Sequence, residues 1–389
     1  MSKIFSLDSS VINNNFRVLQ LGKFYPICGG VEKVAYDLMS GLSEQNVYCD
    51  MMCAATNGES RIISVNEHAK VICCHTLAKV AATMISPAMI FALKKVQDQY
   101  DIIHVHHPDP MACLALLLSG YKGKVVLHWH SDIQKQRILL RLYSPLQKWL
   151  IRRADKIVGT SPVYLSESPF LRKVQHKTVC LPIGVDPMCP DAAGVRKIKD
   201  RYKGKKIIFS LGRLVTYKGY EFLIAATKYL KDNYMILIGG TGALREKLQE
   251  EINSMHLRGK VKLLGHVSDE ELPSYYGACD VFCLSSVQKT EAFGIVQIEA
   301  MSCGKPVVAT KIPHSGVSWV NAHEESGINV VPGDAYALAK AIEAIAENGA
   351  AYDRYSEGAL NRYQKLFTKE KMIAKCKELY DGLMKETKQ

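Results

Sequence analysis

The sequence predicts an α/β protein built as two doubly wound domains of parallel sheet facing a central cleft, and three observations carry that expectation. Short β-branched and apolar runs alternate with helix-period segments along the whole chain, the order in which parallel sheets are assembled. The length, 389 residues, suits two hydrophobic cores of roughly 180 to 200 residues better than one. Glycine-bearing loops follow strand ends in both halves, where open sheets bind ligands.

Strands are expected at 17–21, 47–53, 71–75, 102–106, 125–130 and 156–160 in the first half, and at 207–211, 235–238, 261–264, 281–284, 306–310 and 328–331 in the second. Helices are expected at 31–43, 111–118, 220–230, 243–255, 295–302 and 335–348. Two prolines, an Asp-Ala-Ala-Gly stretch and then basic residues interrupt the pattern over 187–199. The boundary is set there, giving a first domain of residues 1–190 and a second of 191–366. Residues 369–385 keep a helical period with no strand after them, so the C-terminal helix within 367–389 is expected to pack on the first domain.

Composition narrows the class. An apolar fraction of 48% and a charged fraction of 23% are those of a folded chain. No stretch reaches the ~18 consecutive apolar residues of a membrane span, and the N-terminus lacks a signal-peptide pattern. A cytoplasmic protein is expected. The twelve cysteines include no C-x-x-C and are read as buried thiols. Net charge is +12, shared equally: residues 1–195 carry 21 Lys and Arg against 15 Asp and Glu, and the remainder 29 against 23. One segment, 133–154, holds Lys135, Arg137, Arg141, Lys148, Arg152 and Arg153 among leucines with no acid before Asp155. Two readings of it stand open, an anionic membrane surface and a surface helix burying its apolar stripe at home. No nucleic-acid-binding motif accompanies the charge.

The chemistry-bearing motifs fall at strand ends. Gly29 and Gly30 sit between a strand and a helix, where backbone N–H groups approach an anion. His128-Trp-His-Ser-Asp132 closes another strand, and His130 is the residue expected to reach substrate. His104, His106 and His107 end a further strand without acidic ligands at metal-site spacing, so no metal site is assigned. Arg213 and Lys218, bracketed by Gly212 and Gly219, place two cations where a diphosphate would sit. No D-x-D occurs, and these cations would neutralise a departing diphosphate without a metal. Gly239 to Gly242 lack the third glycine and the following acid of a dinucleotide site; Gly240 is read as part of a nucleoside-facing turn.

The last motif runs from Glu291 to Pro306. Gly294 opens its helix and Gly304 closes it. Glu291 and Glu299 are eight residues apart, about 12 Å on an ideal helix, too far for a hydrolytic acid pair at ~5 to 9.5 Å. They are read as two handholds on one extended ligand, with amides near Gly294 facing a phosphate between them.

Taken in order, Gly29-Gly30, His130, Gly212-Arg213, Lys218-Gly219, Gly239 to Gly242 and the E-x7-E pair resemble the retaining glycosyltransferases of family 4 (glycosyl transferases group 1). The resemblance covers nearly the whole chain. It implies the GT-B fold, an acceptor-binding Rossmann-like first domain and a donor-binding Rossmann-like second one. Arg213 and Lys218 would hold a nucleotide diphosphate, Glu299 the ribose and Glu291 the donor sugar, with His130 on the transferred sugar. Phe293, Gly294, Ile295, Gly240, Gly29 and Gly30 join the donor-binding set, and the acceptor would enter near the Gly29-Gly30 loop. Front-face attack, with a phosphate oxygen taking the acceptor proton, would retain the anomeric configuration. No cofactor is implied. Gly316 to Asn321 is similar to bacterial O-antigen and polysaccharide mannosyltransferases, which points to GDP-mannose (or a UDP-sugar) as donor and a glycan or lipid-linked acceptor. Two departures are Ala292, where many relatives have Gly, and the segment 285–290. The alternatives are a nucleotide-sugar epimerase or hydrolase on the same fold, and a non-catalytic nucleotide-sugar-binding protein. Glu291→Ala or Lys218→Ala is expected to abolish transfer while leaving the fold intact.

Overall fold

The computed structural model describes residues 16–27, 29–80, 83–133 and 137–386; the side chains of 137–140 and 142 lie outside the description. The chain runs β1 (Arg17–Tyr25), α1 (Gly30–Glu44), β2 (Tyr48–Ala55), β3 (Arg61–Asn66), β4 (Ala69–Cys74), β5 (Ala78–Val80), β6 (Thr83–Ile85), α2 (Pro87–Val96), β7 (Ile102–His107), α3 (Pro110–Ser119), β8 (Lys124–Trp129), α4 (Arg137–Arg153), β9 (Lys156–Gly159), α5 (Pro162–Glu167) and β10 (Thr178–Cys180). It continues with α6 (Ala192–Arg201), β11 (Lys206–Leu211), α7 (Tyr220–Ala225), β12 (Tyr234–Gly239), α8 (Arg245–Ser254), β13 (Val261–Gly265), α9 (Leu272–Ala278) and β14 (Val281–Leu284). Then come α10 (Ile295–Ser302), β15 (Val307–Thr310), α11 (Val317–Val320), β16 (Gly327–Val330), α12 (Ala335–Ala346), α13 (Gly349–Leu366) and α14 (Lys369–Glu386).

Every strand expected from the sequence is present. An eight-stranded sheet has the order β10-β9-β8-β7-β1-β2-β4-β3, and a six-stranded sheet the order β13-β12-β11-β14-β15-β16. Every pairing in the second sheet is parallel. Its strands are runs such as Val281–Leu284, buried at every position, because helices cover both faces. Strand β3 is an addition to the expected set: it pairs antiparallel at the edge, and its mixed Arg-Ile-Ile-Ser-Val-Asn pattern reflects its exposed face. The expected helix at 220–230 stops at Ala225 and tightens into a 3-10 turn over Ala226–Lys228.

The described residues divide into two compact units. One holds residues up to Val126, Arg153–Asp155 and those from Lys377 onward; the other holds Leu127–Arg152 and Lys156–Cys376. Much of the stretch in which the boundary was set, 187–199, is ordered into α6, where Asp191 is a helix cap whose carboxylate accepts from Gly194 N at 2.7 Å. There α6 packs on α9, with a Cβ at Gly277 meeting Pro190 and Val195 at 2.6 and 2.7 Å.

In the first unit, the end of α14 is locked by polar contacts. Gln20 Nε2 donates to Tyr380 Oη at 3.0 Å, His104 Nδ1 lies 2.5 Å from the same oxygen, and His106 Nε2 lies 2.9 Å from Gln20 Oε1. Burial lowers the His106 imidazole to about 3, which keeps it neutral. His104 and His106 are thus engaged with Tyr380 and Gln20. Helix α4 carries the basic segment. Tyr143, Leu150 and Ile151 are buried and Leu146 and Trp149 half-buried, while Arg141, Lys148 and Arg152 are exposed, so the described apolar residues of α4 face the protein in large part.

Candidate active site

The second sheet reverses its strand order between β11 and β14, which pair through Ile208↔Val281 and Phe209↔Phe282. The loops after these two strands open beside a topological switch point, where ligands bind in such sheets. The β11 loop carries Arg213 and Lys218; the β14 loop carries Glu291 and runs into α10.

Glycines set the β11 loop. Gly240 has φ +127, and a Cβ there would run into the Gly212 carbonyl oxygen. The two loops cross backbone to backbone: Leu214 N donates to Thr241 O at 2.8 Å and Gly212 N to Gly239 O at 3.1 Å. Gly240 thus earns its place by packing, a reason beyond the nucleoside-facing turn read from the sequence. The turn Thr216–Lys218 then ends at Gly219, φ +64, against the Ser285 carbonyl. Lys218 is directed inward, while Arg213 stays exposed with Nη2 donating to Tyr217 Oη at 3.1 Å.

Lys218 meets Glu291 in an ion pair of 2.6 Å, with side chains only 9% and 11% exposed. Ser286 Oγ donates to the same carboxylate oxygen at 3.0 Å, and Ser285 Oγ to the Lys218 carbonyl at 3.0 Å. A buried pair of this kind offsets the desolvation of both charges only while both are present. The ammonium is thus held at the switch point by an acid that an incoming anion would have to displace.

Helix α10 starts from Gly294, φ +77, where a Cβ would press on Leu284 and Gln297 at 2.7 and 2.8 Å. Ile295 is half-buried at the first position of the helix. Phe293 turns its ring onto Phe367, centroids 5.9 Å apart, and is 4% exposed. Its ring is engaged in packing. Glu299 accepts from Tyr276 Oη at 2.6 Å. Burial and that carboxylate push the Tyr276 phenol well up, so the tyrosine remains a donor. Glu291 and Glu299 therefore have separate partners.

His130 follows β8, is buried, and stacks on His128 with centroids 3.9 Å apart. Two residues on, Asp132 is 6% exposed. Its Oδ1 accepts from Trp129 Nε1 at 2.9 Å and Ser168 Oγ at 2.8 Å, and its Oδ2 pairs with Lys289 Nζ at 2.8 Å. Sequence reasoning had no role for Lys289 or Ser286. The one available signal was that both lie in the segment 285–290, which departs from the family pattern.

In the first unit, Gly29 is the extended N-cap of α1, φ −160, and both Gly29 and Gly30 are exposed. A Cβ at Gly29 would lie 2.8 Å from Glu32 Oε2, so a carboxylate stands at this helix start. Asp109 caps α3 by accepting from Met111 N and Ala112 N. Burial raises its carboxyl from 3.8 to about 6. Its protonated form stabilises the fold fully below the unfolded value, and that contribution is lost as pH rises through about 6. Asp109→Asn, which keeps a cap acceptor, should gain on wild type by roughly 2–3 kcal/mol more at pH 7.5 than at pH 4. Thermal unfolding at the two pH values measures this; equal differences at both would contradict it.

The profile of the family "Glycosyl transferases group 1" matches residues 193–362, and that of "Glycosyltransferase Family 4" matches residues 28–188. The chain is similar to O-antigen chain mannosyltransferase C of Escherichia coli, 30% identical over 372 residues, covering 95% of this chain and 99% of that one. It is 29% identical over 356 residues to D-rhamnosyltransferase WbpZ of Pseudomonas aeruginosa, covering 90% and 92% of the two chains. Among solved structures, sucrose-phosphate synthase from Thermosynechococcus elongatus superposes with a TM-score of 0.76 at 24% identity, covering 95% of this chain and all of that one.

Proposed function

The chain belongs to the family 4, group 1 glycosyltransferases of GT-B fold, and from that premise we propose that it moves mannose from GDP-mannose to a glycan or lipid-linked acceptor in O-antigen-type polysaccharide synthesis, with retention. The observation that carries the site assignment is the buried Lys218–Glu291 pair at the switch point of the second sheet. The full-length similarity to a mannosyltransferase of O-antigen chains supports the sugar and the pathway class.

In this reading Arg213 and Lys218 hold the diphosphate, Glu299 the ribose, and amides near Gly294 and Ile295 the phosphate between. Glu291, released from Lys218 by the donor, holds the sugar, and His130 touches it. The bond between the anomeric carbon and the phosphate oxygen breaks as the acceptor oxygen bonds the same face. The acceptor proton passes to the departing phosphate oxygen, and the nucleoside diphosphate leaves. Arg213 and Lys218 stabilise the charge that grows on that oxygen, so no metal or cofactor enters the scheme.

Incubation with a panel of GDP- and UDP-sugars, with and without membrane lipid extract, tests the reading by mass spectrometry of products. Nucleotide release that rises with acceptor, largest for GDP-mannose, is expected. Release independent of acceptor would mark a hydrolase, and turnover of another donor would move the sugar assignment.

No helix among the described residues is long and apolar enough to cross a membrane. We place the reaction in the cytoplasm at the inner face of the membrane, reached through the exposed Arg141, Lys148 and Arg152 of α4. Reversing these three charges should weaken binding to anionic liposomes at low salt by about 2 kcal/mol per residue changed, since each removes one attraction of ~1 kcal/mol and adds one repulsion. Unchanged binding in a sedimentation assay would rule α4 out as the contact.

A further inference from the structure

We propose that Lys289 is a positioning residue for sugar transfer. Through its largely buried ion pair with Asp132 it fixes the loop that carries Glu291 against the strand end that carries His130. The inference rests on the donor-site reading above, and it assigns a role to the segment 285–290.

Lys289 lies two residues before Glu291, and Asp132 two residues after His130. Their side chains meet at 2.8 Å and are 15% and 3% exposed. Lysine is rarely buried without a partner of this kind. The Lys289 ammonium also stands 4.9 Å from the centroid of the Tyr164 ring, a cation–π distance. Tyr164 in turn accepts from Asp132 N through its hydroxyl at 2.8 Å. With Trp129 and Ser168 on the other carboxylate oxygen, Asp132 is held from several sides, and Lys289 has one well-defined place to go.

The link from Lys289 to Glu291 is short and stiff. Glu291 N donates to Gln288 O at 2.9 Å, closing a turn that contains Lys289. Upstream, Val287 N donates to Tyr217 O at 2.8 Å, and Ser286 donates to the Glu291 carboxylate. A shift of Lys289 is therefore transmitted to Glu291 and to the turn bearing Lys218. Downstream, Gly316 N donates to Ala292 O at 2.9 Å, and a Cβ at Gly316 would come 2.5 Å from Ser161 Oγ, a close approach on the far side of Glu291. Both charges of the Asp132–Lys289 pair are spent on each other. The pair should therefore act on the geometry of the reacting sugar more than on donor affinity.

The test compares Lys289→Met, Lys289→Arg, Asp132→Asn and the Met/Asn double variant, with GDP-mannose as donor and membrane lipid extract as acceptor. Lys289→Met is expected to lower kcat at least ~10-fold, as small misplacements of reacting groups do, with KM for GDP-mannose within about threefold. Lys289→Arg should recover most of the loss, and the double variant should be no worse than Lys289→Met, as for two members of one interaction. Wild-type kcat in Lys289→Met, or no recovery in Lys289→Arg, would overturn the proposal. A raised KM with unchanged kcat would also overturn it, by showing a direct donor contact. If Lys289→Met does not fold, Asp132→Glu carries the test: a kcat loss at constant KM supports the role and wild-type kcat overturns it. A wild-type chain that turns over no sugar nucleotide would sink the donor-site reading and this inference with it. Wild-type turnover with indifferent variants sinks this inference alone.

Discussion

Lys218→Ala is expected to lower kcat for transfer by about 10²- to 10³-fold and to destabilise the fold in the same step. The first effect follows from the place proposed for Lys218 beside the departing phosphate. The second follows from Glu291, which would keep a buried carboxylate with Ser286 as a neutral donor and no ammonium at 2.6 Å. Breaking one side of a buried pair costs roughly 3–5 kcal/mol. Read from the sequence alone, Lys218→Ala or Glu291→Ala leaves the fold intact; the buried pair revises that expectation. Lys218→Met combined with Glu291→Gln should recover much of the stability while staying inactive, because both charges are gone. Denaturant unfolding and initial rates on the three proteins measure the two effects separately. An unfolding midpoint in Lys218→Ala equal to wild type would show that the pair is not buried in solution.

Gly240→Ala is expected to cost more than about 3 kcal/mol of stability, among the larger single-residue effects, and to abolish donor binding. At φ +127 the added methyl group is strained whatever its surroundings, and it would also run into the Gly212 carbonyl. Neither side has room to yield. Gly240 N is tied to Gly265 O at 2.6 Å, and Leu214 N to Thr241 O. Displacing the 212–218 loop would carry Arg213 and Lys218 with it. Gly259→Ala is the control: nothing lies within 4 Å of a Cβ there, and a change within ±0.5 kcal/mol is expected. Equal unfolding midpoints for the two variants would show that the loop crossing is loose.

The parallel strands were legible because burial on both faces demands continuous apolar, β-branched runs, as in Val281–Leu284 and Ile207–Leu211. Edge strand β3 was not, since an antiparallel edge carries a mixed pattern that reads as loop. Helix α6 was hidden behind prolines and a small-residue stretch whose Asp191 is a cap and not a break. The loops bearing Lys218, Glu291 and Gly294 were legible at their strand ends because glycines punctuate them. The Lys218–Glu291 pairing was not, for it depends on how two loops fall beside one switch point. Lys289 and Asp132 are 157 residues apart, and no local pattern joins them. Gly240 was read as part of a nucleoside-facing turn, and the close approach of Gly212 that leaves no room for a Cβ there was not visible in the sequence. Phe293 was grouped with the donor set by its neighbours, and its packing on Phe367 was not visible in the sequence.

The most direct test of the donor site is a crystal structure of the chain with GDP-mannose bound. The diphosphate oxygens are expected within about 3 Å of Arg213 and Lys218, with Lys218 turned from Glu291 and Glu299 on the ribose hydroxyls. A diphosphate seated on the Gly29-Gly30 loop, with the Lys218–Glu291 pair intact, would contradict the assignment.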